Sequence, residues 1–229
     1  SSAFGCVLDE KKIRSKKRLF FTATPIILSN QIKGQAETNN IDIASMDDVS
    51  KFGEIFHQLK FSDAINREPP LLTNYQVVVV GVDDPMIKEM IHKRAFLTSD
   101  GENIFDAESV ASTIAVLKAT KEFNLKRIIT FHNKVDNASN FSKKINEIND
   151  LIRIDDRPSG EIKGDYVSGS MKSSERNRKL KKLKNLQDSE RRILSNARCL
   201  SEGVDVPTLD GIAFIDPRSS QIDIIQAVG

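Results

Sequence analysis

The chain has 229 residues, of which 39% are hydrophobic, and its formal net charge at pH 7 is +2. This length suits one large or two smaller domains with an ordinary core, while the near-neutral charge neither indicates nor excludes a nucleic-acid partner. No apolar run approaches the roughly 20 residues that span a membrane, and the two cysteines lack metal-type spacing, so we expect a cytoplasmic protein without a membrane partner.

The first part of the chain shows no regular alternation of elements. The stretch RLFFTATP, residues 18–25, is predicted to be a strand in which residues 19–21 are buried. Residues 30–50 are polar and rich in Asn and Asp, which is typical of a loop. Residues 52–64 give a short, mixed pattern, and a natural joint follows at Glu68-Pro69-Pro70.

After this joint, strands and amphipathic helices alternate. The run YQVVVVGV, residues 75–82, is typical of a strand buried on both faces. Residues 88–106 are predicted to form a surface helix and a turn. The further predicted strands cover 126–132, 164–169, 191–196 and 211–216, and the predicted helices begin at residue 107 and cover 135–148, 174–186 and 220–228. This order indicates an α/β fold with a parallel sheet flanked by helices.

The segment from residue 193 to residue 229 carries the most chemical information. Its strand ends in Ser195-Asn196, and ligands of parallel sheets bind at the carboxyl edge of the strands. Gly203 allows a tight turn close to a ligand, and Asp205 offers a carboxylate suited to a ribose hydroxyl. The alternative for Asp205 is an Asx turn that caps its own backbone.

Several segments resemble, in order, the motifs of superfamily 2 helicases and translocases. RLFFTATP is similar to motif III, and RIITFHNKV, residues 127–135, is similar to motif IV. YVSGSMKSSER, residues 166–176, resembles the stretch between motifs IV and V. SNARCLSEGVDVP, from residue 195, resembles motif V, and the final QAVG resembles the start of motif VI. Residues 52–80 further resemble the crossover of DEAH-like and restriction-associated DNA motors.

The resemblance implies a domain organisation and an activity. Residues 1–72 would be the end of a first RecA-like domain with a crossover, and residues 73–229 a second RecA-like domain that is truncated within motif VI. The chain would then be a fragment of an ATP-dependent helicase or translocase that acts on DNA, or alternatively on RNA. ATP and Mg²⁺ are the cofactors expected for the longer protein, and the missing first RecA-like domain of the same polypeptide is an expected partner.

The resemblance also implies roles for individual residues. The ATP cleft would involve Thr22, Thr24, Gly203, Asp205 and Gln226. The nucleic-acid contacts would come from Thr130, His132, Asn133, Lys134, Ser168, Gly169, Ser195, Asn196 and Arg176. The alternatives are that the two threonines bond to local backbone, that Gln226 is an exposed helix residue, and that Cys199 serves packing.

The basic segment SSERNRKLKKLK leaves two interpretations open. Its cations are Arg176, Arg178, Lys179, Lys181, Lys182 and Lys184. A solvated helix face is the ordinary interpretation. Phosphate contacts are the functional one, because Lys and Arg neutralise a nucleic-acid backbone without reading its sequence.

Two expected features are absent from the sequence. No G-x-x-x-x-G-K-[ST] pattern is present to hold the phosphates of ATP, and no arginine follows QAVG. The pair Asp9-Glu10 imitates a metal-binding strand end but lies too close to Thr22, so no metal site is assigned. We therefore expect no ATP hydrolysis by this chain alone. The alternative is a degenerate RecA-like module that binds nucleic acid or protein without ATPase activity.

Overall fold

The computed structural model describes residues 3–82, 85, 87–89, 107–197, 199, 209–216 and 224. The chain divides into two compact units, unit 1 with residues 1–75 and unit 2 with residues 76–229. No helix among the described residues is long and apolar enough to cross a membrane.

Unit 1 consists of short helices joined by irregular segments. A 3₁₀ helix covers Ala3–Leu8, and the α-helices are α1 (Asn30–Thr38), α2 (Val49–Phe52) and α3 (Phe61–Asn66). Helix α1 begins where Ser29 Oγ accepts a hydrogen bond from the backbone N–H of Ile32, an N-cap that satisfies one free donor of the first turn. The prediction of a loop over residues 30–50 is therefore wrong for residues 30–38, whereas residues 39–48 lie in no helix or strand. The helix buries only Ala36, so its apolar pattern gives almost no signal.

The stretch RLFFTATP does not form a strand, so the prediction for this segment is wrong. Leu19 is 65% exposed and Phe21 is 81% exposed, while Phe20 packs edge-on against Phe52 with 5.0 Å between ring centroids. No described residue of unit 1 lies in a strand. No described strand of unit 1 is therefore present to pair with the segment or to supply a sheet on which its side chains would pack.

Unit 2 contains a four-stranded sheet in which every pairing is parallel. Its elements are α4 (Ala107–Glu122), β1 (Arg127–His132), α5 (Val135–Leu151), β2 (Glu161–Ser168), α6 (Ser173–Lys184), β3 (Glu190–Ala197) and β4 (Gly211–Phe214), with a 3₁₀ turn at Ile154–Asp156. The strand order is β2-β3-β1-β4. The predicted α/β fold with a parallel sheet is thus confirmed. The predicted helix over 220–228 and most of the segment 88–106 lie outside the described residues.

Helices cover both faces of this sheet. Strand β3 places Ile193 in a cluster with α4 and α5, and the next residue, Leu194, in a second cluster with Leu183 of α6. This alternation is the two-residue period of a strand that is buried on both sides. Each such side chain contributes about 1.5–3 kcal/mol by leaving water.

A glycine allows α5 to lie directly on the sheet. A Cβ atom added to Gly164 of β2 would lie 2.2 Å from the carbonyl oxygen of Ser142 and 2.5 Å from a methyl group of Ile145. Since real Cβ atoms do not approach a carbonyl this closely, only glycine fits between this strand and this helix.

The run YQVVVVGV lies in no helix or strand, so the prediction of a strand buried on both faces is wrong. Val77 is 80% exposed and Val79 is 93% exposed. Only the end of the run, at Val82, packs against the cluster formed by α4 and α5. A continuous β-branched run indicates a capacity for burial, whereas burial itself requires other elements that cover both faces of the run.

Candidate nucleic-acid interface at the strand ends

The parallel register brings the polar strand ends together at one edge of the sheet. Thr130 of β1 lies beside Ser195 of β3, and Ser168 of β2 lies beside Ala197 of β3. Asn196 is flanked by both neighbouring strands. The sequence-predicted residues of three separate segments therefore share the carboxyl edge, where ligands of parallel sheets bind.

Three of these residues form a buried polar cluster. The Thr130 hydroxyl donates to Ser195 Oγ at 3.1 Å and lies 3.0 Å from Nε2 of His132. Each of the three residues is at most 1% exposed, and the His132 ring packs on Phe141 of α5 with 5.0 Å between centroids. In this arrangement their side chains tie β1 to β3 and to α5 and do not reach the surface.

Asn196 shapes the turn that follows β3. Its side-chain oxygen accepts hydrogen bonds at 3.1 Å from both the backbone N–H and the thiol of Cys199. Burial raises the pKa of the Cys199 thiol, and the positive charge of Arg176 opposes that rise only in part. A thiol that stays protonated remains a hydrogen-bond donor, which agrees with a packing role for Cys199.

Asp216 fixes the turn that follows β1. Its carboxylate, placed just after β4, accepts a hydrogen bond from the backbone N–H of Asn133 at 2.5 Å. The turn leads to Lys134, which is exposed and precedes the first residue of α5. Sequence reasoning missed Asp216 as a site residue, although its place directly after a strand is the same signal that identified the other strand ends.

The end of β2 presents the exposed members of the site. Ser168 is buried and its hydroxyl lies 2.9 Å from that of Ser170, whereas Gly169 and Ser170 are exposed. Arg176 is partly exposed at the start of α6, where it donates to Ser173 Oγ at 3.3 Å. Together with the exposed Lys134, these residues are the solvent-accessible members among the predicted contacts that the structure describes at this edge.

The residues predicted for the ATP cleft are not brought together by the described structure. In unit 1, the backbone N–H of Thr24 donates to Thr22 Oγ1 at 3.0 Å, a local turn of the kind that formed the alternative interpretation. Gly203, Asp205 and Gln226 lie outside the described residues. Asp9 accepts from the backbone N–H of its near neighbour Lys11, and the described residues contain no group of three or more metal-binding side chains.

The comparisons with known proteins define the class of the chain. Residues 115–229 match the model of the helicase conserved C-terminal domain, so the chain belongs to that family and its sheet is a RecA-like α/β fold. The resemblance to the C-terminal RecA-like domain of helicases is thereby confirmed.

One solved structure is similar to nearly the whole chain. The chain is similar to the ATP-dependent Type ISP restriction-modification enzyme LlaBIII bound to DNA, with 30% sequence identity and a TM-score of 0.76. The match covers 99% of this chain and 15% of the length of that enzyme. A search of curated proteins found no match.

Proposed function

We propose that this chain is part of an ATP-dependent superfamily 2 motor that translocates on DNA in a restriction-associated enzyme. The observation that carries the proposal is the 30% identity over 99% of the chain to a DNA-bound restriction-modification enzyme. Membership of the helicase C-terminal family adds to it, since the same sheet edge is where α/β proteins of this kind hold their ligands.

ATP and Mg²⁺ are assigned to the longer protein and not to this chain alone. The sequence has no phosphate-binding G-x-x-x-x-G-K-[ST] loop, and the described residues offer no carboxylate cluster for a metal ion. The residues present therefore do not form an ATP site by themselves. Within the longer protein, ATP hydrolysis would drive the opening and closing of a cleft. The residues that would contribute to this cleft are Thr22, Thr24, Gly203, Asp205 and Gln226.

The strand-end residues take two different roles in this proposal. Lys134 would contact phosphates through its cation, Gly169 through its backbone N–H and Asn133 through its side-chain amide, and such contacts hold a strand without reading its sequence. The buried residues Thr130 and Ser195, with His132, Ser168 and Asn196, would hold the strand ends in register beneath them. Arg176 would add a charge at the start of α6.

An ATPase assay on the longer protein tests this function. We expect hydrolysis that duplex DNA stimulates and that RNA of the same length stimulates much less. Stimulation by RNA alone would favour an RNA helicase. Absence of hydrolysis with either polymer would favour a binding module without ATPase activity.

The purified chain of 229 residues gives the second arm of this test. It should not hydrolyse ATP, with or without DNA, because it lacks the phosphate-binding loop. Nucleic-acid-stimulated ATPase activity from this chain alone would contradict that assignment.

A further inference from the structure

Helix α6 has an inner side that is committed to the fold. Leu183 is fully buried against the sheet. Lys179 donates to Asp165 at 2.8 Å and to the carbonyl oxygen of Tyr166 at 2.9 Å, and its ammonium lies 4.8 Å from the centre of the Tyr166 ring. This lysine is therefore a structural cation that fastens α6 to the edge strand β2.

The outer side of α6 carries a second set of polar residues. They are exposed, line one shallow groove, and follow one another at helical spacings of three or four. We call them the α6 stripe: Ser174, Asn177, Arg178, Lys181, Lys182 and Asn185. Since α6 starts after the carboxyl end of β2 and leads to the start of β3, the stripe runs from the carboxyl edge of the sheet towards the opposite edge.

The stripe contains three cations and no carboxylate. Within the described part of the chain, Arg178, Lys181 and Lys182 form no ion pair, whereas Arg192 and Lys163 both pair with Glu190. Like charges at helical spacing repel by a few tenths of a kcal/mol per pair. The helix dipole favours lysines and disfavours carboxylates in the last turn, but it gives no reason for Arg178 further up the same stripe.

We propose that the α6 stripe binds the phosphate backbone of double-stranded DNA, as a contact additional to the strand ends; this inference rests on the proposed function. The stripe extends over about 17 Å at 1.5 Å per residue, and about 17 Å of duplex axis carries about five phosphates of each strand at 3.4 Å of axis per phosphate. Its Arg, Lys, Ser and Asn side chains are the donors that bind phosphate oxygens without reading sequence. It lacks aromatic side chains, on which the bases of a single strand would stack.

A salt titration of DNA binding tests the stripe. The 229-residue chain and the triple variant Arg178→Gln, Lys181→Gln, Lys182→Gln are compared on a 30-base-pair duplex of random sequence by fluorescence anisotropy. The plot of log K against log salt concentration has a negative slope, and each lost phosphate contact reduces the magnitude of this slope by about 0.9. We therefore expect this magnitude to fall by about 2 to 3 in the variant, with weaker binding at low salt.

A matched variant separates the stripe from net charge. Arg14→Gln, Lys16→Gln, Lys17→Gln removes the same charge from exposed positions of unit 1. It should keep the wild-type slope, and both variants should keep the wild-type circular dichroism spectrum because all six positions are exposed. Equal loss of slope in the two variants would overturn the proposal.

Other outcomes separate the stripe from the proposed function. If the stripe variant binds duplex with the wild-type slope, or if the wild-type chain binds no duplex, the stripe proposal fails while DNA-stimulated ATPase of the longer protein still decides the function. If the longer protein shows no such ATPase but the slope still falls, the stripe stands and the motor function fails. Binding of polyglutamate in preference to duplex would assign the stripe to an acidic protein and overturn the proposal.

Discussion

Large apolar side chains form buried clusters in unit 2, whereas several of them are exposed in the described part of unit 1. In unit 2, aliphatic and aromatic residues from the sheet and from three helices form two buried clusters. In the described part of unit 1, the buried apolar side chains are Ala36 and Ala64, whereas Phe21, Ile55 and Phe56 are each more than 70% exposed. The difference lies in the presence of a sheet, since the paired strands of unit 2 supply a surface on which helices pack and no described residue of unit 1 lies in a strand.

Polar contacts take the place of a core in unit 1. The hydroxyl of Ser45, which is only 4% exposed, accepts from the backbone N–H of Leu28 at 2.9 Å and donates to Asp47 at 2.5 Å. Lys33 donates to the same carboxylate at 2.6 Å. Exposed ion pairs contribute about 0–1 kcal/mol each, which is less than one buried isoleucine. Unit 2 should therefore dominate the measured stability of the chain.

The largest loss of stability is expected when a buried side chain in the core of unit 2 is truncated. Ile193→Ala removes a fully buried side chain from β3 and should lower the free energy of unfolding by about 2–5 kcal/mol. The same substitution at Ile27, which is 61% exposed in unit 1, should change it by less than about 0.5 kcal/mol. Urea denaturation followed by circular dichroism measures both. A large loss at Ile27 would remove the contrast between the units.

The next effect concerns the contact between α5 and β2. Gly164→Ala would place a methyl group 2.2 Å from the Ser142 carbonyl oxygen, so the helix must move away from the strand. Overpacking of this kind costs about 1–3 kcal/mol. We expect a lower urea midpoint and a shift of α5 amide signals in NMR spectra.

Gly169→Ala is the control for this prediction. It changes the same residue type five positions further along, in open space after β2, where nothing lies within 4 Å of the new methyl group. Its urea midpoint should stay close to that of the wild type. A wild-type midpoint for Gly164→Ala would show that α5 does not depend on this close approach.

The sequence predicts unit 2 much better than unit 1 for a physical reason. Along β3, Ile193 and Leu194 supply apolar side chains to both faces, and both faces are covered, so the pattern and the structure agree. The runs at residues 18–25 and 75–82 give the same signal, but no described strand pairs with them. The sequence of a single segment shows whether its side chains could be buried. It does not show whether neighbouring strands and helices are present to bury them.

The candidate site was predictable in position but not in orientation. The strand ends do meet at one edge, as expected for parallel strands. The two-residue period of β1, however, directs Ile129 and Phe131 to the α6 side and leaves Thr130 and His132 on the α5 side, where they are buried. Because both faces are covered, polar residues within these strands are buried on either face, whereas residues after the strand ends, such as Lys134 and Gly169, are exposed.

The buried hydroxyl pair of the site gives a smaller effect. Thr130→Val removes the donor of Ser195 Oγ and should cost about 1–2 kcal/mol, because the remaining buried hydroxyl loses its partner. The double variant Thr130→Val, Ser195→Ala should lose less stability than the sum of the two single variants, since neither hydroxyl is then left without its partner. A double-mutant cycle in urea measures this coupling.

The counterpart in unit 1 is the exposed hydroxyl of Thr22, which also bonds to a neighbour. Thr22→Val should leave the free energy of unfolding within about 0.5 kcal/mol of the wild type, because water replaces the lost contact. Strict additivity of Thr130→Val and Ser195→Ala would indicate that the two hydroxyls do not interact.

The smallest effect expected is a dependence of stability on acid pH, carried by Glu190 at the start of β3. Burial acts to raise the pKa of this carboxyl, but the hydrogen bond and charge of Arg192 and the charge of Lys163 outweigh burial and hold the pKa below its ordinary value of 4.5. Between the folded and unfolded pKa values, the unfolded chain binds more protons. The stabilisation is thus present above about pH 4.5 and is lost as the pH falls through the lowered pKa.

Glu190→Gln and Asp47→Asn compare this effect between the units. The Glu190 variant should be less stable at pH 7 and should lose less further stability on acidification, because it has no such carboxyl to protonate. Hydrogen bonds from Lys33 and Ser45 also lower the pKa of Asp47, but this carboxylate is exposed, so its replacement should leave the acid limb of the curve nearly unchanged. Urea denaturation between pH 3 and pH 7 measures both. If the loss of stability at acid pH became smaller in Asp47→Asn and not in Glu190→Gln, the pH-sensitive stability would lie in unit 1 and not in unit 2. That result would contradict the comparison of a packed unit 2 with a unit 1 held by hydrogen bonds.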